Sequence, residues 1–301
     1  MSTALRRAAF VVGVPRSGTT LFARLLDGHP QLFVVPFETH ASVWAGRPDP
    51  VTRLLERIAR FQKLEKGSAQ EQQIERALRA RLPGVADLET LLRGTIDALF
   101  EQAGSPSRAE VFVEKTPRHL RVVPELLRIF GPETRVLALV RDPRAVMASR
   151  RTRFERIGAG NVRHFAQRWA YADALVRRYQ TRFPAFLAIR YEDLVADAEG
   201  VMRRAAEHLG IAWDPLLVQP TRSGEEWLGN SSFGRGTQSG VSREYLDRWR
   251  KELVPEDVAR LELLLRDRMR AWGYEPLSRP RAGPSLRRLA VEVVTALRQV
   301  V

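Results

Sequence analysis

Short apolar runs alternate with longer amphipathic stretches along the chain. The apolar runs suit strands that are buried on both faces, and they lie at residues 9–12, 32–35, 111–113, 135–140 and 186–190. The stretches between them place their apolar residues at helical spacing. This alternation predicts an α/β fold of three layers, in which a largely parallel sheet has helices on both faces.

The helical stretches are bounded by residues that stop helices. Residues 19–26 place Leu21, Leu25 and Leu26 on one face, and Gly28 ends the pattern. The same spacing predicts further helices at residues 161–182 and 255–272.

Residues 50–104 are helical in pattern and separate the second predicted strand from the third. We therefore predict a single domain over residues 1–280, with a helical insertion at about 50–104 that covers the substrate. Residues 281–301 form a separate amphipathic helix in this interpretation. We expect that helix to pack on the domain, with a homodimer contact or a weak membrane-surface contact as the alternatives.

Composition narrows the classes of function. The formal net charge of +14 fits a polyanionic partner, whether nucleic acid, an anionic membrane or a phosphate-rich small molecule. The absence of cysteine excludes disulfides and thiolate metal sites. No apolar run is long enough to cross a bilayer, and the N-terminal run leads into a glycine loop instead of a cleavage site. We therefore predict a cytoplasmic protein.

Residues 13–20, GVPRSGTT, join the first strand to the first helix. Backbone N–H groups and the helix dipole make such a junction an anion site, and Gly18 lets the backbone approach the anion closely. A Walker A loop carries lysine where this loop has Thr19, and Arg16 lies within the loop. The stretch therefore predicts a P-loop-like phosphate-binding loop without the residues of a nucleoside triphosphate site.

Further polar groups follow other predicted strands. Arg141 comes directly after the run 135–140, and Ser149 lies on the helix that follows. Ligands of open parallel sheets bind beyond the carboxyl ends of the strands, so both residues can reach a second phosphate. Lys115 leaves the third strand at the same edge and adds a cation. The alternative for Arg141 is an ion pair with Asp142 or a helix-capping role.

Three motifs in this order resemble those of the sulfotransferases that use 3′-phosphoadenosine 5′-phosphosulfate (PAPS). They are GVPRSGTT after the first strand, RDPRAVMAS after a central strand and IRYEDL after a later one. The stretch FVVGVPRSGTTLFARLLDGHPQ is similar to the tyrosylprotein and related bacterial branches. The resemblance covers residues 8–275. It implies an enzyme that moves a sulfuryl group from PAPS to a hydroxyl or amine without a metal, and releases adenosine 3′,5′-bisphosphate.

The resemblance also implies roles for residues of the motifs. The residues implied for the 5′-phosphosulfate are Arg16, Ser17, Gly18, Thr19 and Thr20, and those for the 3′-phosphate are Arg141 and Ser149. The candidates in a late loop that closes over the nucleotide are Ser231, Ser232 and Arg235. An ordinary surface loop is the alternative for that segment, and Tyr191 contacts the base or is a buried core residue.

Sulfuryl transfer needs cations at the leaving group and a base at the acceptor. Charge grows on the departing oxygen, and Arg16 and Lys115 are suited to stabilise it. The stretch VVPFETH supplies two candidate bases, Glu38 and His40. His40 has the intrinsic pKa nearer neutrality, but Glu38 matches the base of the tyrosylprotein-like branch and is favoured.

Two other functions stay open at this stage. A P-loop kinase or NTPase would use Asp142 for magnesium but would need a lysine at position 19. A non-catalytic nucleic-acid-binding protein would need a basic stripe with interleaved aromatic residues, whereas aromatic residues make up 8% of the chain and are scattered. The acceptor is a small molecule, sugar, lipid or tyrosyl group. A small molecule is favoured because no secretory or membrane-spanning segment is predicted.

Overall fold

The computed structural model describes residues 5–62, 64–151, 159–222, 225–227 and 243–277 of the chain. Its main sheet contains the strands β1 (Arg7–Gly13), β2 (Leu32–Val34), β3 (Val111–Lys115), β4 (Arg135–Val140) and β5 (Phe186–Arg190). All of them are parallel, in the order β2-β3-β1-β4-β5. Each coincides with one of the apolar runs, so the predicted strands are confirmed. A small antiparallel pair, β6 (Thr221–Arg222) and β7 (Glu225–Glu226), is not predicted by the pattern.

Helices fill most of the remaining described chain. They are α1 (Thr19–Leu26), α2 (Ala41–Trp44), α3 (Pro50–Gln62), α4 (Ala69–Arg79), α5 (Leu88–Gln102), α6 (Val123–Phe130), α7 (Pro143–Arg151), α8 (Ala159–Arg182), α9 (Tyr191–Ala196), α10 (Ala198–Leu209), α11 (Trp249–Glu252) and α12 (Pro255–Arg270). Short 3₁₀ helices lie at Pro117–Val122, Pro215–Val218 and Arg243–Tyr245. The helices predicted at 19–26, 161–182 and 255–272 are confirmed as α1, α8 and α12.

The sheet is covered by an apolar core on each face, because successive strand residues point to opposite sides. Phe10 and Phe112 belong to the core that includes residues of α5 and α8. Their neighbours Val11 and Val113 belong to a second core with residues of α1 and α10. Two cores separated by one parallel sheet confirm the predicted three-layer α/β class.

The predicted insertion between β2 and β3 contains α3, α4 and α5. Ser68 and Asp87 cap α4 and α5, because their side chains accept hydrogen bonds from backbone N–H groups of the first turn. Phe100 of α5 meets Phe33 of β2 edge-on, with ring centroids 5.2 Å apart. The insertion therefore shares a core with the sheet, and its role as a substrate cover stays a prediction.

β1 lies at the centre of the sheet, between β3 and β4, where the strand order changes direction. Such a switch point opens a crevice beyond the carboxyl ends of the strands. Gly13 ends β1 so close to β4 that a Cβ atom there would lie 2.3 Å from Leu139 O. This approach brings the loop after β1 against the end of β4.

Two further observations concern the chain as a whole. Within the described ranges, no helix has both the length and the apolar composition needed to cross a membrane. The predicted helix at 281–301 lies outside the described residues, so the division of the chain near residue 280 stays a prediction.

Candidate active site

The loop after β1 holds two residues in the left-handed backbone region, Arg16 at φ 80° and Gly18 at φ 92°. The buried Ser17 between them donates its backbone N–H to Val14 O over 3.1 Å. Its hydroxyl oxygen lies 2.6 Å from that carbonyl oxygen and 3.0 Å from Leu139 O of β4. Ser17 thereby fixes the loop on the sheet, and the first turn of α1 presents its backbone N–H groups at the carboxyl edge.

Tyr191, the first residue of α9, packs against this loop. A Cβ atom on Gly18 would lie 2.2 Å from Tyr191 Cδ2, so the ring occupies the space that a side chain would need. The guanidinium carbon of Arg141 lies 4.2 Å from the centre of the ring. Burial raises the pKa of the Tyr191 hydroxyl, against the opposing effect of the Arg141 charge. The tyrosine is buried, and its predicted contact with the nucleotide base stays a prediction.

Arg141 and Arg16 come together beyond the end of β4. Arg141 donates from Nη2 to Tyr245 O over 2.8 Å and from Nη1 to Arg16 O over 3.5 Å. Its Nε is buried and has no hydrogen-bond partner among the described residues. Arg16 donates from Nε to Ser149 Oγ over 3.0 Å. The two phosphate sites predicted from the sequence are therefore neighbours, joined by Arg16.

Asp142 is bound by a different arginine from the one that the sequence suggested. Arg144 Nη2 lies 2.7 Å from Asp142 Oδ2, and Arg144 Nη1 lies 2.7 Å from Glu262 Oε1. The alternative in which Asp142 pairs with Arg141 is therefore wrong. The Asp142 carboxylate forms a buried ion pair with Arg144. It is therefore not available to bind magnesium, as the kinase alternative would require.

Glu38 contacts two of the predicted site residues, Lys115 and His40. Its Oε1 lies 2.7 Å from Lys115 Nζ, and its Oε2 lies 3.0 Å from His40 Nε2. Lys115 Nζ also lies 3.4 Å from Thr20 Oγ1 of the phosphate loop. Burial raises the pKa of Glu38, but the hydrogen bond with His40 and the charge of Lys115 outweigh it and lower that pKa to about 2. The carboxylate is thus ionised, and both of its oxygens are occupied.

A buried polar cluster beneath this pair is absent from the sequence predictions. Glu114 of β3 is fully buried and accepts hydrogen bonds from the hydroxyls of Thr39 (2.8 Å) and Thr116 (2.6 Å). Its other oxygen lies 2.9 Å from Nδ1 of His119, which is also fully buried. Burial raises the pKa of Glu114, and the charge and hydrogen bond of His119 outweigh that effect and lower it. The available signal was a glutamate that directly follows the apolar run Val111–Val113 within β3.

The cluster joins the two segments that carry the candidate base and Lys115. Thr39 lies between Glu38 and His40, and Glu114 immediately precedes Lys115. Arg57 of α3 adds a hydrogen bond from Nε to the backbone oxygen of Glu38 over 2.8 Å. The insertion thus contacts the segment that carries the candidate base.

Some predicted site residues cannot be placed. Ser231, Ser232 and Arg235 lie outside the described residues. Thr19 is buried at the start of α1, beside the more accessible Thr20. Among the described residues, no group of three or more His, Cys, Asp and Glu side chains could hold a metal ion.

The family model described as "Sulfotransferase family" matches residues 8–215 of the chain. Protein-tyrosine sulfotransferase 1 of Danio rerio is 27% identical over 286 residues, which cover 90% of this chain and 73% of that protein. Protein-tyrosine sulfotransferase A of Caenorhabditis elegans is 27% identical over 279 residues, covering 90% and 68%. The nodulation protein NoeE of Sinorhizobium fredii is 27% identical over 294 residues, covering 88% and 65%.

Two solved structures share the fold. The sulfotransferase domain of the Synechococcus PCC 7002 olefin synthase matches with a TM-score of 0.55 and 22% identity, over 83% of this chain and 90% of that chain. The sulfotransferase domain from the curacin biosynthetic pathway matches with a TM-score of 0.56 and 18% identity, over 97% and 99%. Both likenesses concern the fold, and they agree with the P-loop-like architecture predicted from the sequence.

The matched range contains all three motifs and, apart from Arg7 at the start of β1, all five strands of the main sheet. The match and the commitment of Asp142 leave the kinase and nucleic-acid-binding alternatives without support. The chain therefore belongs to the sulfotransferase family, which confirms the predicted enzyme class and PAPS-dependent sulfuryl transfer.

Proposed function

We propose that Glu38 is the general base of this sulfotransferase, that Lys115 and Arg16 are the cations at the leaving group, and that the acceptor is a small-molecule hydroxyl. One observation carries the proposal. Lys115 Nζ lies between the phosphate loop and the candidate base, 3.4 Å from Thr20 Oγ1 and 2.7 Å from Glu38 Oε1. A cation in this position can stabilise negative charge on the leaving group and also contact the candidate base.

The described residues fit an anionic nucleotide with two phosphate positions. The loop and the first turn of α1 offer backbone N–H groups for the 5′-phosphosulfate. Arg141, with its unpartnered buried Nε, and Ser149 are the residues for the 3′-phosphate. When bound, PAPS supplies a sulfuryl group whose bond to the 5′-phosphate oxygen breaks as the acceptor oxygen bonds to sulfur.

The chain's own residues divide the remaining work. Arg16 and Lys115 stabilise the negative charge that develops at the 5′-phosphate, and Glu38 takes the proton from the acceptor hydroxyl. A carboxylate with a pKa of about 2 is a weak base. Any anion that draws Lys115 away from Glu38 removes a charge that lowers this pKa, and so makes the carboxylate more basic.

His40 supports the base in this assignment. Its Nε2 lies 3.0 Å from Glu38 Oε2, and it is the N-cap residue before α2, with a left-handed backbone at φ 52°. It orients the carboxylate and donates a hydrogen bond to it. The competing assignment makes His40 the base and Glu38 its partner, and mutation separates the two.

The experiment compares Glu38→Gln with His40→Gln. We expect Glu38→Gln to lower kcat by about 10²–10⁴-fold, because that is the contribution of a positioned general base. Its affinity for adenosine 3′,5′-bisphosphate, measured by calorimetry, should stay near that of the wild type. Transfer of labelled sulfuryl groups from PAPS to a panel of acceptors gives the rate. Wild-type turnover by Glu38→Gln, with loss of turnover in His40→Gln, would reverse the assignment.

A thermal-shift comparison tests the nucleotide class independently. A ligand that binds only the folded state raises Tm, so adenosine 3′,5′-bisphosphate should raise Tm more than ATP with magnesium does. We also retain as proposals a cytoplasmic location, a bacterial origin, the single domain over 1–280 and a homodimer. Cell fractionation and sedimentation of the full chain test the location and the dimer.

A further inference from the structure

Four arginines surround a partly open pocket beside the phosphate loop. We call it the arginine pocket, and its arginines are Arg118, Arg121, Arg150 and Arg168. Val14 and Pro15 of the loop form one wall, and Trp169 of α8 and Leu120 contribute apolar surface. The pocket thus combines an apolar lining with a rim of positive charge.

The four positive charges have no counterions in the part of the chain that the structure describes. None of the four forms an ion pair there, whereas Arg144 meets two carboxylates and Asp173 is shared by Arg177 and Arg268. The pKa of Arg168 is lowered by burial and then by the charges of Arg150, Arg118 and Arg121. The pKa of Arg150 is lowered by burial and then by Arg118. The arginines therefore repel one another across the pocket, and a bound anion would relieve that repulsion.

Aromatic side chains support two of these arginines. The guanidinium carbon of Arg121 lies 5.6 Å from the ring centre of Tyr171, and that of Arg150 lies 5.7 Å from the ring centre of Phe165. Arg150 and Arg168 are half-buried. Such contacts hold guanidinium groups in place without neutralising them, so their charge stays available to a ligand.

The pocket adjoins the reaction centre through the chain itself. Pro15 directly precedes Arg16, and Arg150 directly follows Ser149. Pro117, another lining residue, is two residues after Lys115. Each of three segments that supply the candidate site thus continues into the pocket wall. A molecule seated there lies beside the segments that carry Arg16, Lys115 and Ser149.

We propose that the arginine pocket binds a carboxylate or phosphate group of the acceptor, so that the acceptor is a hydroxylated acid with an apolar body. This inference rests on the proposed function, because it assigns the substrate class of that same site. The phosphates of the donor have other partners in the proposal, namely the loop, Arg141 and Ser149. Neutral phenols and alcohols leave the four charges unpaired and bind more weakly.

The test uses pairs of hydroxylated acids and their neutral amides, such as 4-hydroxyphenylacetate and 4-hydroxyphenylacetamide, with phosphorylated alcohols as a second series. Calorimetry measures their affinity for full-length protein saturated with adenosine 3′,5′-bisphosphate, and labelled transfer measures kcat/KM. We expect acids to bind at least about tenfold more tightly than their amides, as charge-assisted hydrogen bonds require. Equal affinities across the panel would overturn the proposal.

A double variant localises the effect. Arg150→Gln with Arg168→Gln should erase the preference for acids while the affinity for the bisphosphate stays within about twofold. The matched control is Arg178→Gln with Arg182→Gln, which removes two exposed charges further along α8. Loss of bisphosphate affinity in the pocket variant would assign the pocket to the donor and overturn the proposal.

The outcomes distinguish this inference from the function on which it rests. If the chain transferred no sulfuryl group to any acceptor, the proposed function would fail, yet the calorimetric preference for acids would still report on the pocket. If transfer occurs equally well to acids and amides, the function holds and the inference fails.

Discussion

Protonation of the Glu38 carboxylate at low pH is expected to lower the stability of the folded protein. The pKa of Glu38 in the folded state is about 2, below the ordinary value of 4.5. At pH values between these two numbers, the folded protein therefore binds fewer protons than the unfolded chain. Stability therefore rises with pH through this window and is lost as pH falls through it. We expect Tm to fall between about pH 5 and pH 2 with a steeper slope in the wild type than in Glu38→Gln.

Melting curves at several pH values check this expectation. Glu110→Gln is the control, because it removes an exposed carboxylate that pairs with Arg7 at 3.4 Å and contributes little. Its slope should match that of the wild type. Identical slopes for the wild type and Glu38→Gln would mean that the Glu38 pair does not contribute to stability.

We expect Glu114 to be a positioning residue, which acts through its neighbours and does not contact the substrate. Its carboxylate accepts hydrogen bonds from Thr39 and Thr116, which flank the candidate base and Lys115 in sequence. Glu114→Gln replaces an acceptor oxygen with a donor group inside a fully buried cluster. We expect a loss of about 1–3 kcal/mol in the free energy of unfolding, the typical cost of an unsatisfied buried group.

Kinetics separate positioning from simple destabilisation. In Glu114→Gln, kcat should fall at a temperature where the protein is fully folded, while KM for PAPS changes little. A conservative Thr116→Ser variant keeps a hydroxyl at that position and should retain most of the turnover. An unchanged kcat in folded Glu114→Gln protein would limit the cluster to a structural role.

At the scale of elements, the junction of β1 and α1 depends on Gly18. Alanine there would have to adopt φ 92° and place its Cβ 2.2 Å from the Tyr191 ring. We expect Gly18→Ala to cost about 1–3 kcal/mol in stability and to weaken binding of adenosine 3′,5′-bisphosphate, since the loop must move. Gly84→Ala is the control, because nothing lies within 4 Å of its added Cβ. Calorimetry and denaturant unfolding measure the two effects.

The pattern along the chain predicts the strands well, because a parallel strand that is buried on both faces consists almost entirely of apolar residues. It also predicts the loop, since glycine spacing and the strand-to-helix junction are local features. The short pair β6–β7 is not predicted, because two residues per strand leave no period to detect. Local signals therefore account for the elements and for the edge at which the site forms.

Contacts between distant segments are what the sequence does not reveal. Arg144 is close to Asp142 in sequence, but its second partner, Glu262, is separated from it by 118 residues. Likewise Arg16 meets Ser149 only because β1 and β4 are neighbours in the sheet. Such pairs follow from the order of the strands and from the packing of helices such as α7 and α12, which the alternation of apolar runs leaves undetermined. The Glu114 cluster escaped prediction for the same reason.

At the scale of the whole molecule, Arg144 ties the chain beyond the matched family range to the sheet. It binds Glu262 of α12, donates to Glu275 O over 2.9 Å and lies 4.2 Å from the ring centre of Trp249. We expect Arg144→Met to cost about 3–5 kcal/mol in the free energy of unfolding, since it leaves two buried carboxylates without their partner. Arg203→Met, which removes an exposed pair with Glu199, should change stability by under about 1 kcal/mol.

The ion pair between Lys115 and Glu38 has a consequence for the order of events in turnover. While Lys115 holds the carboxylate at 2.7 Å, the base is at its weakest, and an acceptor that arrives first meets a group unable to take its proton. Arrival of the nucleotide gives the lysine a competing partner. We therefore expect compulsory-order kinetics, with the donor entering ahead of the acceptor and the acceptor alone forming only a dead-end complex.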